Sequence, residues 1–176
     1  MIVGQRVPRN FFVTTGKGES DITIHAGSYH MALKDADIEM CNIMQYSSIL
    51  PGEAKEIPKP KKLTHGSVME AIMGVCTCGK GEVGTAGIIY GWLYNKETEE
   101  KYGGIVCEYN GPKLKEEASL ELREALQEIY FNGYSDEFFL KDEELIVETI
   151  IPKKQHGTVL VAICFVDYIF PVSEVK

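Results

Sequence analysis

Apolar residues in this chain recur at every second position, or run continuously, through most of its length, and take helical spacing in only two segments. That distribution confines the fold to a mixed α+β domain whose core is built on sheet. Runs at 67–78, 88–94, 104–109, 145–151 and 159–167 read as strands, rich in β-branched and aromatic residues. The clearest helix covers 114–131, where Leu122, Ala125, Leu126, Ile129 and Tyr130 form an apolar stripe against a charged face, and Gly133 supplies the stop. A shorter helix is predicted after Ser28, which can cap it, with Tyr29, Ala32, Leu33 and Ala36 on one face. A buried strand is expected over 38–46, running into Ser47, Ser48 and Pro51, where proline ends regular pairing. EAKEIPKPKK at 53–62 is charged and proline-rich, and reads as an exposed crossing rather than a domain boundary.

The 176 residues, 44% of them hydrophobic, therefore make one domain over 1–176 with a sizeable core. A formal charge of -8 argues against a nucleic-acid partner, because phosphate binding needs a basic surface, and it suits a cationic small molecule better. The five cysteines are odd in number and lie mostly in apolar runs, which argues against a disulfide framework. MIVGQRVPRNFF lacks the apolar core of a signal peptide, and no run is long enough to span a bilayer, so a cytoplasmic protein without a membrane partner is expected.

Three apparent motifs carry no chemistry. GKGEVG at 79–84 satisfies the dinucleotide fingerprint, yet TAGIIYGWLY after it reads as a strand, not as the helix that would face a pyrophosphate; a glycine-rich hairpin loop is expected instead. The thiols of Cys76 and Cys78 lack a second pair or a nearby histidine, so no metal site is expected. His25, His30, His65 and His156 are not at helical ligand spacing, and all but His30 read as loop or surface residues.

What remains is CNIMQYSSILPGEA at 41–54. By composition alone it is a strand end at which Ser47 and Ser48 satisfy backbone groups in a turn. The stretch nevertheless resembles the self-processing site of the pyruvoyl-dependent arginine decarboxylases, where a serine pair is followed by an apolar pair and proline. FFVTTGKGESD near the start, the strand carrying Asn42, Glu53, HGSVMEAIMG at 65–74 and GGIVCEYNG at 103–111 resemble further blocks of that family in the same order, across roughly residues 8–168. The resemblance implies a four-layer αββα sandwich, cut by its own chemistry into a β chain, 1–47, and an α chain, 48–176. It also implies a homotrimer of such units, or a dimer of trimers, with each active site at a subunit contact.

The chemistry explains why a hydroxyl must stand at that junction. Attack by the Ser48 hydroxyl on the carbonyl of Ser47 turns the amide into an ester, and elimination and loss of ammonia leave a pyruvoyl group at Ser48. In the family pattern Asn42 is a processing residue, able to donate its amide hydrogens to the developing oxyanion. The covalent ketone then forms a Schiff base with the substrate amine and acts as electron sink when carbon dioxide departs. Glu108 matches the family's general acid, a role that requires a pKa raised by burial; alone on its strand it would be read as a solvated glutamate.

His30 and Leu33 match substrate-pocket positions on the first helix. There the sequence departs from its relatives, because His30 stands where the family has an aspartate facing the guanidinium of arginine. A neutral imidazole accepts one hydrogen bond from a guanidinium and a protonated one repels it. Asp35 and Asp37, later on the same element, could substitute if the register is shifted. Three readings stay open: conversion of arginine to agmatine and carbon dioxide, the same chemistry on another amino acid, and an uncut, non-catalytic ligand-binding homologue. The physiological role, polyamine synthesis or acid resistance, is open too.

Overall fold

Residues 2–173 are described by a computed structural model. The main strands are β1 (Asn10–Ser20), β2 (Asn42–Gln45), β3 (Ile49–Pro51), β4 (Lys55–Glu56), β5 (Val68–Gly79), β6 (Gly84–Asn95), β7 (Lys101–Gly111), β8 (Phe138–Ile150) and β9 (His156–Phe165). They form a five-stranded sheet in the order β2-β5-β9-β1-β4 and a four-stranded sheet in the order β8-β6-β7-β3. Pairing is antiparallel except for β2 with β5 and β1 with β4. Short pairings of Ile2–Val3 with Val172–Ser173, and of Val7–Pro8 with Tyr168–Ile169, join the two ends of the described chain.

Alternation along the strands sorts their side chains into separate cores. Phe11, Ile72, Val161, Ile163 and Phe165 of the first sheet pack with Leu50, Ile88, Tyr90 and Val106 of the second. The other face of the five-stranded sheet, with Phe12, Met69, Ala71, Leu160 and Ala162, packs on Ala32, Leu33 and Ala36 of the first helix. The other face of the four-stranded sheet, with Ile89, Leu93, Ile105 and Val147, packs on Ala118, Leu122 and Leu126 of the second. The sequence-based expectation of mixed α+β structure is met. Among the described residues no helix is long and apolar enough to cross a membrane.

The second helix, α2 (Lys115–Gly133), closely matches its expected span, with Glu116 and Glu117 in its first turn where they favour the helix dipole. Ile129, placed on the apolar stripe from the sequence, is 42% exposed, whereas Ala118, one turn before Leu122, is buried. The first helical segment differs more. Residues Ile24–Tyr29 form a π-helical turn, closed by the Ser28 N–H on the Thr23 carbonyl at 3.1 Å, which runs into α1 (His30–Asp35). Ser28 is therefore not a cap. It is fully buried, and its hydroxyl meets that of Thr158 on β9 at 2.8 Å.

Three further expectations are corrected. Residues 38–41 are a turn, and the strand after it, β2, is a short and largely exposed edge. The longest surprise is β1, whose polar FVTTGKGES gave no strand signal yet lies inside the sheet between β9 and β4. Gly16 and Gly18 explain this: a Cβ at Gly16 would stand 2.0 Å from the Ala32 carbonyl oxygen, and one at Gly18 2.2 Å from that of Ser28. The strand is bare where the helical segment lies directly on it. Lastly, the glycine loop after Gly79 is no hairpin, because β5 and β6 belong to different sheets and the loop carries the chain from one to the other.

Candidate active site

Tyr46 and Ser48 are bonded to different sheets. The Tyr46 N–H donates to the Ala71 carbonyl on β5 at 2.8 Å, whereas the Val106 N–H on β7 donates to the Ser48 carbonyl at 3.1 Å. Ser47 is thus the residue at which the chain crosses. The Ile49 N–H reaches back to the Ser47 carbonyl at 2.9 Å, closing a three-residue turn centred on Ser48. The carbonyl that precedes Ser48 already carries a backbone donor, which draws electron density onto its oxygen.

Alternation on β7 turns Ile105, Cys107 and Tyr109 toward α2, and Val106 with Glu108 into the gap between the sheets. There the Ser48 hydroxyl lies 2.7 Å from Glu108 Oε1 and 2.8 Å from Oε2. Gly74 lets the sheets close beside this pair, since a Cβ there would meet the carbonyl oxygens of Gly87 at 2.7 Å and Tyr109 at 2.9 Å. Burial holds the Glu108 carboxyl above the ordinary carboxylate range, and the hydrogen bond from Ser48 pulls it partly back. A carboxyl in contact with a hydroxyl can exchange a proton with it or with a group put in its place, and a raised pKa favours giving one.

Asn42 stands apart from this pair. It opens β2, its side-chain amide donates to the Gly66 carbonyl at 3.0 Å, and it is exposed. With His30 and Leu33 it lines a cavity of about 710 Å³ along the edge of the five-stranded sheet, which His25, Tyr29 and Cys41 also border. Within one chain, then, the residues singled out from the sequence fall into two groups, Ser47, Ser48 and Glu108 at the crossing and His30, Leu33 and Asn42 at the cavity. Neither Ser48 nor Glu108 lines that cavity.

Asp35 and Asp37 do not reach it either. Asp35 accepts the Lys17 N–H at 2.9 Å, and Asp37 pairs with Lys59 at 2.8 Å. Sequence reasoning missed two participants. The Ile49 N–H is a backbone group and leaves no trace in residue type. His25, expected in a loop or on the surface, stacks on Tyr29 with ring centroids 5.8 Å apart and planes inclined by 22°, and both rings face the cavity. Their i, i+4 spacing was the available signal. Of the other two histidines expected in loops or at the surface, His65 is exposed, whereas His156 opens β9 and is half-buried.

A family model described as pyruvoyl-dependent arginine decarboxylase matches residues 10–170. The pyruvoyl-dependent arginine decarboxylase of Methanococcus aeolicus is 30% identical over 120 residues, 68% of either chain. That of Methanococcus vannielii is 29% identical over 148 residues, 82% of this chain and 86% of the relative. That of Methanopyrus kandleri is 36% identical over 77 residues, a stretch spanning 44% of this chain and about half, 49%, of the relative.

Proposed function

The chain belongs to the pyruvoyl-dependent arginine decarboxylase family, and from that membership we propose that it cuts itself between Ser47 and Ser48, carries a pyruvoyl group at Ser48, and converts arginine to agmatine and carbon dioxide. The observation that carries the reading is the Ser48 hydroxyl held by Glu108 at 2.7 and 2.8 Å, beside a Ser47 carbonyl that already accepts the Ile49 N–H.

In the first step the Ser48 oxygen, oriented by its hydrogen bond to Glu108, bonds to the Ser47 carbonyl carbon, and its proton goes to the Ser48 nitrogen as the Ser47–Ser48 amide bond breaks to leave an ester and a free amine. The Ile49 N–H stabilises the oxygen on which charge gathers, a contribution assigned from sequence to Asn42 alone. Loss of the Ser48 α-proton then expels the Ser47 carboxylate, and water replaces ammonia to leave a ketone at the new end. The two products are a β chain, 1–47, and an α chain, 48–176.

The residues at the crossing fit such a group: the neighbouring carbonyl is polarised, the site lies in the gap between two sheets, and a carboxyl with a raised pKa touches the position the ketone takes. When present, that group supplies the electron sink for the bond to the departing carbon dioxide. Glu108 supplies the proton that the substrate carbon then needs, a role its raised pKa favours. His30 and Leu33 bind the substrate at the cavity, which Asn42, the processing residue of the family pattern, also lines.

Two sheets packed face to face, each with a helix on its outer side, support a four-layer αββα sandwich. Because the crossing and the cavity are separate in one chain, the site is completed between copies, in a homotrimer or a dimer of trimers. Met44, Ile49 and Val68, each more than half exposed, support this, since a second copy would cover them. Mass spectrometry of the purified protein under denaturing conditions tests the reading: two chains are expected, the longer one bearing a carbonyl reducible by borohydride, with carbon dioxide released from arginine. A single uncut polypeptide with no such carbonyl would overturn it.

A further inference from the structure

The cavity beside His30 poses a problem of recognition. A guanidinium is usually held at its edge by a carboxylate, through two parallel hydrogen bonds. Among the described residues of one chain, none that lines this cavity carries a carboxylate. The two acids of the neighbouring segment are engaged elsewhere, Asp35 on the Lys17 N–H and Asp37 on Lys59. What the cavity does present is an aromatic face. Residues 25 and 29 of the π-helical turn lie one above the other, and the half-buried Tyr29 ring is backed by the stacked imidazole of His25. π-Helical turns are rare overall and are frequent at functional sites.

We infer that this chain holds the substrate guanidinium by its flat face, against the Tyr29 ring, rather than by its edge on a carboxylate. The inference rests on the arginine reading above and adds to it the residue that sets specificity. A guanidinium is planar and weakly hydrated, and it is attracted to the electron-rich face of a phenol ring. The two modes of recognition select differently. A carboxylate at the edge rewards positive charge, and rejects a neutral isostere whose oxygen would face it. A ring face rewards planarity, so it separates arginine from lysine, whose ammonium is compact and tetrahedral, but separates arginine poorly from citrulline, whose ureido group is equally flat.

The test measures carbon dioxide release by the processed protein from arginine, citrulline and lysine. The expected kcat/KM for citrulline is within about tenfold of that for arginine, the range a ring face commands, with lysine the poorest of the three. Tyr29→Phe, which keeps the face, should leave KM for arginine within about twofold. Tyr29→Leu, which removes it, should raise KM roughly tenfold while kcat and the extent of self-cleavage hold. Preference for arginine over citrulline by more than about a hundredfold would overturn the inference. So would an unchanged KM in Tyr29→Leu, or a large rise in KM in Glu39→Gln, whose Oε2 is buried without a partner but does not line the cavity. The citrulline comparison uses the unaltered protein and does not depend on a variant folding. A fully cut, ketone-bearing protein inert toward arginine would instead remove the arginine reading itself, and this inference with it.

Discussion

The crossing at Ser48 and the cavity at His30 are built on different principles. At the crossing, a hydroxyl from the residue just before β3 and a carboxyl from β7 meet because strands distant in sequence share one register, and the contact is sheltered between two sheets. At the cavity, the side chains come from one short helical segment and an exposed edge strand, and the surroundings are open. Reactive chemistry is thus tied to the topology of the whole domain. Recognition is tied to a local element that can change without disturbing it. Self-cleavage should tolerate alterations of the helical segment that selectivity does not.

The most severe way to probe this division is Ser48→Ala, which leaves the topology intact and removes the attacking oxygen. The variant should remain one polypeptide of the full 19.7 kDa with no decarboxylation at all, as mass spectrometry and carbon dioxide release would show; normal maturation would end the proposed mechanism. Glu108→Gln comes next. It should still be cut, since an amide oxygen can accept the Ser48 hydroxyl, yet lose at least about a hundredfold in kcat for want of a proton to deliver.

The same group sets the pH response. Activity that needs protonated Glu108 should decline as pH rises through its raised pKa. Folding follows the same sign: the folded chain holds this proton to higher pH than the unfolded chain does, so the contribution is complete below the ordinary carboxylate range and lost as pH rises through the raised value. Denaturant titration of wild type against Glu108→Gln across that window would detect it.

Gly16→Ala tests the junction between the two regions. Its new methyl would meet the Ala32 carbonyl, and overpacking of this kind costs about 1–3 kcal/mol, read as a lower midpoint of thermal unfolding. KM for arginine should suffer more than the extent of cutting. The mildest change is His30→Asp, which puts a carboxylate into the cavity. It should lower KM for arginine roughly tenfold and widen the gap to citrulline, with cutting unaffected. An effect on cutting would show that the regions are coupled after all.

Much of the sheet and all of α2 were legible because their apolar periods are strong. The failures have physical causes. β1 is polar and glycine-rich because a helix backbone lies on it, so the residues that prove its burial are those that look least buried. The 38–41 segment was read as strand from its apolar residues, but Ile38 is fully buried as part of a turn, packed under the helix rather than paired. Membership of one sheet or the other, which decides whether the loop after Gly79 is a hairpin or a crossing, depends on distant pairing that no local pattern encodes. At the candidate site, the resemblance singled out Ser47, Ser48 and Glu108, and the structure adds the contact between the last two. His25 and the Ile49 N–H were not, one because a lone histidine is uninformative, the other because a backbone amide has no letter.

The position of β1 has a consequence for the proposed cut. Upstream of that point the chain is tied in chiefly by a strand paired from Phe11 with Phe165 to Ser20 with His156 and flanked on its other side by β4, with β2 paired to β5 as a second tie. A nick at Ser47 would free two ends but no fragment. The particle should migrate as a single species under native electrophoresis and part only in denaturant. Once parted, its pieces would have to find each other by diffusion, so reassembly should slow on dilution in a way that folding of the intact precursor does not.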